Sequence, residues 1–93
     1  MQLKQYDQTM LETWGTGRLG ALYLSSFSIS REEPQELPQL ETIAEILFRR
    51  PFDERKGIYL HIQNELAGSI RAEDYERAAL MRDMKEHYHR YVF

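Results

Sequence analysis

Residues 58–90 read IYLHIQNELAGSIRAEDYERAALMRDMKEHYHR. Ile58, Ile62, Leu66 and Ile70 recur every four residues, a spacing that gathers them towards one side of a helix. Asp53 is the predicted N-cap, and Gly57 and Gly68 each weaken the element by about 1 kcal/mol relative to alanine. Arg71-Ala72-Glu73 then forms a short connection, and Asp74 is predicted to cap a final helix over 75–89. Asp74 and Glu76 stand at its start and Lys85, His87, His89 and Arg90 near its end, the order that complements a helix dipole. A connection this short makes the two helices antiparallel neighbours. Tyr75, Ala78, Ala79 and Arg82, separated by three, four and seven positions, share one side of the second helix. Two helices of this size hold too little core to stand alone. The hairpin must therefore meet the chain's own N-terminal helices, a second copy, or a different protein.

Working backwards, Pro51 stops a middle helix over 39–50 that carries Leu40, Ile43, Ala44 and Leu47 on one face. Before it, residues 31–38 hold Glu32, Glu33, Pro34, Glu36 and Pro38 and read as an acidic, proline-containing linker. Residues 19–30 fit either a helical stripe (Leu19, Leu22, Tyr23, Phe27) or an alternating strand (Tyr23, Phe27, Ile29), with helix the favoured reading. Ser25, Ser26, Ser28 and Ser30 compete for backbone hydrogen bonds, so the element is expected to fray into a loop. Leu3, Tyr6, Met10, Leu11 and Trp14 predict a first helix over 3–14, ended by a turn at Gly15-Thr16-Gly17. The fold expected is all-α: one helical domain over 1–93, with N-terminal helical segments in 1–30, the 31–38 linker, the 39–50 helix, and an antiparallel helical hairpin over 53–90.

Composition narrows the function classes. With 42% hydrophobic and 29% charged residues the chain can fill a core and solvate its surface. The absence of cysteine removes disulfides, thiolate metal sites and cysteine nucleophiles, and suits a reducing cytoplasm, the expected location. The first residues lack the order of a signal peptide, and the apolar run from Leu19 to Leu24 is far short of the roughly 20 residues of a membrane span. Residues 1–47 hold Lys4, Arg18 and Arg31 against seven acidic residues, so nucleic acid is not the expected partner.

The segment Glu73 to Asp83, EDYERAALMRD, resembles the UVR motif, the helical hairpin at the C-terminus of the excision-repair protein UvrB, within UvrC, and in several bacterial stress and protease-associated proteins. In that family an apolar helix precedes a turn, an aromatic, an acid, two alanines and an Arg-Asp pair. Tyr75, Glu76, Ala78, Ala79, Arg82 and Asp83 match these positions, with Ile62 and Leu66 on the first helix and Ser69 where the family tends to have a small residue. The resemblance covers roughly residues 59–88. Where the family has an aliphatic residue two positions after Arg-Asp, this chain has Met84 and then Lys85. The resemblance implies a hairpin that binds another protein in DNA-repair, protease or stress machinery, or pairs with its own kind as a homodimer. The candidate partner-binding residues are therefore Ile62, Leu66, Tyr75, Glu76, Ala78, Ala79, Arg82 and Asp83.

Other constellations point less far. His61, His87 and His89 lack converging ligand spacing, so no metal or other cofactor is expected. No serine lies in a nucleophile-elbow context, and Gly15-Thr16-Gly17-Arg18-Leu19-Gly20 lacks the strand and Lys-Ser/Thr ending of a phosphate loop, so no enzymatic activity is expected. Arg49, Arg50, Arg55 and Lys56 form a basic cluster that reads as a solvated helix end, with anion binding as its functional alternative. Arg82 with Glu86 and Asp83 with His87 have the spacing of exposed helix pairs. Tyr88, Tyr91 and Phe93 give the C-terminus a sticky surface unless they fold back on the core. Two rival functions follow: an inhibitor of a larger enzyme contacting it through Glu32, Glu33 and Glu36, and an accessory nucleic-acid binder using the basic cluster.

Overall fold

A computed structural model describes residues 6–93 as helices without a strand among them. Five α-helices follow in order: α1 (Gln8–Glu12), α2 (Thr16–Ser30), α3 (Leu37–Phe48), α4 (Phe52–Arg71) and α5 (Tyr75–Tyr91), with a 3-10 turn at Pro34–Glu36 before α3. Two helical hairpins, α2 with α3 and α4 with α5, pack together. The extents of 40 × 31 × 19 Å describe a slab about two helix diameters thick. No helix among the described residues is long and apolar enough to cross a membrane.

The core lies between the hairpins. Leu19, Tyr23 and Phe27 from α2, Leu40, Ile43 and Leu47 from α3, Ile62 from α4, and Met81, Met84 and Tyr88 from α5 are buried together. The α3 and α5 sets have the three- and four-residue spacing of a core-facing stripe, and the α2 set recurs every four residues. α1 closes one end: Leu11 is fully buried, Tyr6 and Trp14 meet edge to face at 4.9 Å, and the Tyr6 amide donates to the Gln39 side chain at 3.0 Å.

Several boundaries differ from the sequence reading. The predicted helix over 3–14 is helical at Gln8–Glu12, while its residues 3–5 lie outside the described residues. Gly15 is the N-cap of α2 and Thr16 and Gly17 its first turn, because an extended Gly15 (φ −67°, ψ 157°) re-aims the chain without a longer loop. α2 runs through Ser30 instead of fraying. Ser28 and Ser30 turn their hydroxyls back onto the carbonyls of Leu24 and Phe27, which leaves the helical ladder in place. The linker is shorter than 31–38, since Leu37 and Pro38 already belong to the first turn of α3, where proline loses no intrahelical bond. α3 ends at Phe48 rather than at 50. α4 is preceded by an extended Pro51, so Asp53 sits inside its first turn and is not the N-cap.

Asp74 does cap α5, its carboxylate accepting from the Arg77 amide at 3.2 Å. The α4–α5 connection is a Schellman turn: the Asp74 amide donates to the Ser69 carbonyl and the Glu73 amide to the Ile70 carbonyl. Glu73 carries the left-handed conformation this turn demands, φ 58°, in a position usually taken by glycine.

Candidate functional site

The α4–α5 hairpin has two unlike sides. Facing the N-terminal helices, α5 buries Met81, Met84 and Tyr88 completely or nearly so, and α4 buries Ile62 and Ser69. Tyr88 completes this side with a hydroxyl that donates to the Arg55 carbonyl at 2.7 Å, and burial pushes that hydroxyl above the usual phenol range.

The residues singled out from the sequence lie mostly on the other side and at the tip. Tyr75 is 67% exposed and Glu76 and Arg82 are exposed, while Ala78 and Ala79 are half-buried beside them. Ile62 belongs to the core and Leu66 is half-buried against it. The stripe Ile58, Ile62, Leu66, Ile70 is not a single face. Steps of four advance a helix by about 40° each, so a stripe centred on Ile62 and Leu66 has turned outward by Ile70, which is 54% exposed. Ile70 and Tyr75 therefore flank the connection as exposed apolar side chains.

Polar contacts hold this tip in shape. Arg77 reaches across the hairpin to Glu65 at 3.0 Å, and this hydrogen bond holds the Glu65 carboxyl below its ordinary range. Asp83 meets Arg31, at the end of α2, at 3.3 Å and its neighbour Arg82 at 3.7 Å. The predicted pairs Arg82–Glu86 and Asp83–His87 do not form: Arg31 draws the Asp83 carboxylate sideways, and His87 is turned inward to Tyr23. Glu65 and Arg31 went unnoticed in the sequence because their partners are 12 and 52 residues away. The core stripe of α5 was also missed, although the three- and four-residue spacing of Met81, Met84 and Tyr88 carried its signal.

The basic cluster is divided among separate tasks. Arg49 lies 3.5 Å from Glu12, Arg50 donates to the Glu12 carbonyl and the Thr16 hydroxyl, and Arg55 donates to the Val92 carbonyl between the rings of Phe48 and Phe52. Only Lys56 is left without a described contact. In the acidic segment Glu36 is buried and Glu33 half-buried. Of the C-terminal aromatics, Tyr88 is core, Phe93 stacks on Tyr59 at 4.7 Å, and Tyr91 is 53% exposed. Among the described residues no three His, Asp or Glu side chains converge on a common point.

No protein-family model, curated protein or solved structure matches this chain. The hairpin's chemistry therefore rests on its own residues: a tip held by a Schellman turn and an aspartate cap, with two exposed apolar side chains, two half-buried alanines and charges of both signs around them.

Proposed function

We propose that the chain is a non-enzymatic protein-binding module of the cytoplasm, acting through the outer side of its C-terminal hairpin. Tyr75 and Ile70 supply apolar anchors, Ala78 and Ala79 the close-approach surface, and Glu76 and Arg82 the polar rim that fixes orientation. Ile62, Leu66 and Asp83 act from beneath, the first two by packing and the third through Arg31. The observation that carries this reading is the exposure of Ile70 and Tyr75 on either side of a connection held by a Schellman turn and the Asp74 cap. Ordering such a tip in advance lowers the entropy cost of binding. By resemblance to UVR hairpins, the partner belongs to repair, protease or stress machinery.

The acidic segment suits this role less, because Glu36 is buried. The test is affinity capture from native lysate with three baits: wild type, Tyr75→Ser/Ala79→Glu, and Glu32→Lys/Glu33→Lys. The same polypeptide should be retained by the first and third baits and lost from the second. Loss from the third alone would sink the hairpin reading.

A further inference from the structure

A second surface runs along α3 and the adjoining ends of α4 and α5, away from the hairpin tip. Of the eight large apolar side chains that are substantially exposed among the described residues, Leu37 (44%), Phe48 (60%), Phe52 (51%) and Tyr91 (53%) fall on this one strip. The strip is continuous. Leu37 and Tyr91 line one groove of about 420 Å³ between α3 and α5, Tyr91 and Phe48 line the next hollow, and the Arg55 guanidinium sits 5.6 and 5.8 Å from the ring centres of Phe48 and Phe52. An apolar run of this kind on a small protein marks a contact surface.

The charges along it indicate the occupant. Along α3 and its C-cap, Leu37, Glu41, Glu45 and Arg49 follow at steps of four, apolar, acidic, acidic, basic, on a line that winds about 40° per step, and Arg49 stays 62% exposed beside Glu12. Glu41 and Glu45 form no ion pair among the described residues, and both line the groove with Leu37 and Tyr91. Arg90 likewise has no ion pair there, and it shares the adjoining hollow with Glu45, Phe48 and Arg49. A uniformly basic or acidic partner would satisfy one end of this strip and oppose the other. A copy of the strip turned end for end satisfies both. An antiparallel pairing of two α3 helices about a two-fold axis near Glu45 sets Glu41 of each copy opposite Arg49 of the other. Arg90 then lies beside the axis, where it offsets the facing Glu45 carboxylates. Such a self-complementary patch is the requirement of an isologous dimer.

We infer that the α3 strip from Leu37 to Phe52, with Tyr91 beside it, is the interface between two copies of this chain in a two-fold antiparallel arrangement. The pairing leaves the α4–α5 tip free, so the dimer presents two hairpin tips and does not depend on the reading of the hairpin given above.

Sedimentation equilibrium of the full chain tests this directly. Wild type should show a concentration-dependent monomer–dimer equilibrium. Phe48→Ser should shift it to monomer, and Glu41→Arg should weaken it about tenfold, since the substitution opposes like charges at two symmetric places. Both variants should keep the monomer's helical spectrum, because Phe48 and Glu41 are exposed. The reciprocal exchange Glu41→Arg/Arg49→Glu, made with Glu12→Gln so that the new carboxylate at 49 does not face the one 3.5 Å from Arg49, should restore dimerisation. A chain monomeric at every concentration overturns the inference, as does a dimer indifferent to Phe48→Ser and Glu41→Arg. If the single change dissociates the dimer and the exchange fails to restore it, the antiparallel self-pairing is wrong. A dimer lost on Tyr75→Ser/Ala79→Glu but not on the α3 changes would assign self-association to the hairpin tip instead.

Discussion

The hydroxyl of Tyr23 lies 2.7 Å from Nδ1 of His87, joining the middle of α2 to α5 across the core. Burial is the main reason that the Tyr23 hydroxyl stays protonated far above the ordinary phenol range, and also that the His87 pKa falls below its usual value. With both groups neutral the contact forms with either imidazole tautomer, the hydroxyl donating to a bare Nδ1 or accepting from a protonated one. Phe27 and Tyr91 pack against the same imidazole at 5.4 and 4.7 Å, so it is walled by aromatic rings on two sides.

This pair gives the fold an acid-sensitive point. Desolvation lowers the His87 pKa, with Arg90 acting the same way, and together they outweigh the upward pull of Glu41. With the folded value depressed, the unfolded chain binds a proton first as pH falls, so stability is fully present above about 6.5 and declines below it towards the folded pKa. Urea midpoints measured between about pH 7.5 and pH 5 should fall, and His87→Asn, which keeps an acceptor near Nδ1 but does not titrate, should flatten that part of the profile. An unchanged slope in the variant would remove His87 as its source.

Gly20 on α2 lies directly against Ile58 on α4. A Cβ there would lie 2.8 and 2.9 Å from Cδ1 and Cγ1 of Ile58, closer than packed carbons tolerate. Gly20→Ala should therefore destabilise by about 1 kcal/mol, the overpacking cost exceeding the gain in helix propensity. In an Ile58→Ala background the obstruction is gone, and the same change should stabilise by about 1 kcal/mol. Gly57, whose added Cβ would meet nothing within 4 Å, should accept alanine with a gain of similar size. Denaturant melts of the four-member cycle check the sign change.

Glu73 holds a left-handed conformation at φ 58°, which costs a side-chain-bearing residue about 1–2 kcal/mol. Glycine adopts it freely but gains entropy in the unfolded chain, so Glu73→Gly should raise stability by a net of about 0.5–1 kcal/mol. Removing the neighbouring cap with Asp74→Ala should act oppositely, by about 1 kcal/mol. Thermal melts of the two variants should move in opposite directions, each by a few degrees.

How much the sequence disclosed depended on the range of the interaction. Helical periodicity disclosed the all-α architecture, and the Asp74 cap and the hairpin followed from residues only a few positions apart. The start of α2 was obscured because Gly15-Thr16-Gly17 carries turn composition and helix-starting geometry at once. Its end was obscured because serines that disfavour a helix in isolation bond back onto it here. The outward swing of Ile70 lay in the four-residue spacing itself, about 40° per step, whereas the burial of Glu36 is set by where neighbouring helices lie, which spacing alone does not encode. Likewise, Tyr75, Ala78, Ala79 and Arg82 do share a side, but only the packed neighbours decide that this side is the outer one.

That distinction carries the last prediction. On α5 the side facing the core is Met81, Met84 and Tyr88, with Met84 and Tyr88 wholly inaccessible to solvent, whereas Ala79 is only half-buried next to exposed Tyr75 and Arg82. A carboxylate at position 84 would lose its hydration with no cation in place to receive it, and the native state would have to accept a neutralised acid or open to water. Met84→Glu should cost more than about 3 kcal/mol and leave the chain largely unfolded. A carboxylate at position 79 can extend past the backbone into solvent, as long polar side chains on partly covered helix faces do. Ala79→Glu should therefore cost less than about 1 kcal/mol while adding charge and bulk to the surface offered to a partner. Circular dichroism melts of the two variants at equal concentration separate the cases. Early melting of Ala79→Glu, comparable to that of Met84→Glu, would mean that the outer side of the hairpin is closed within the monomer and has no free face to offer a partner.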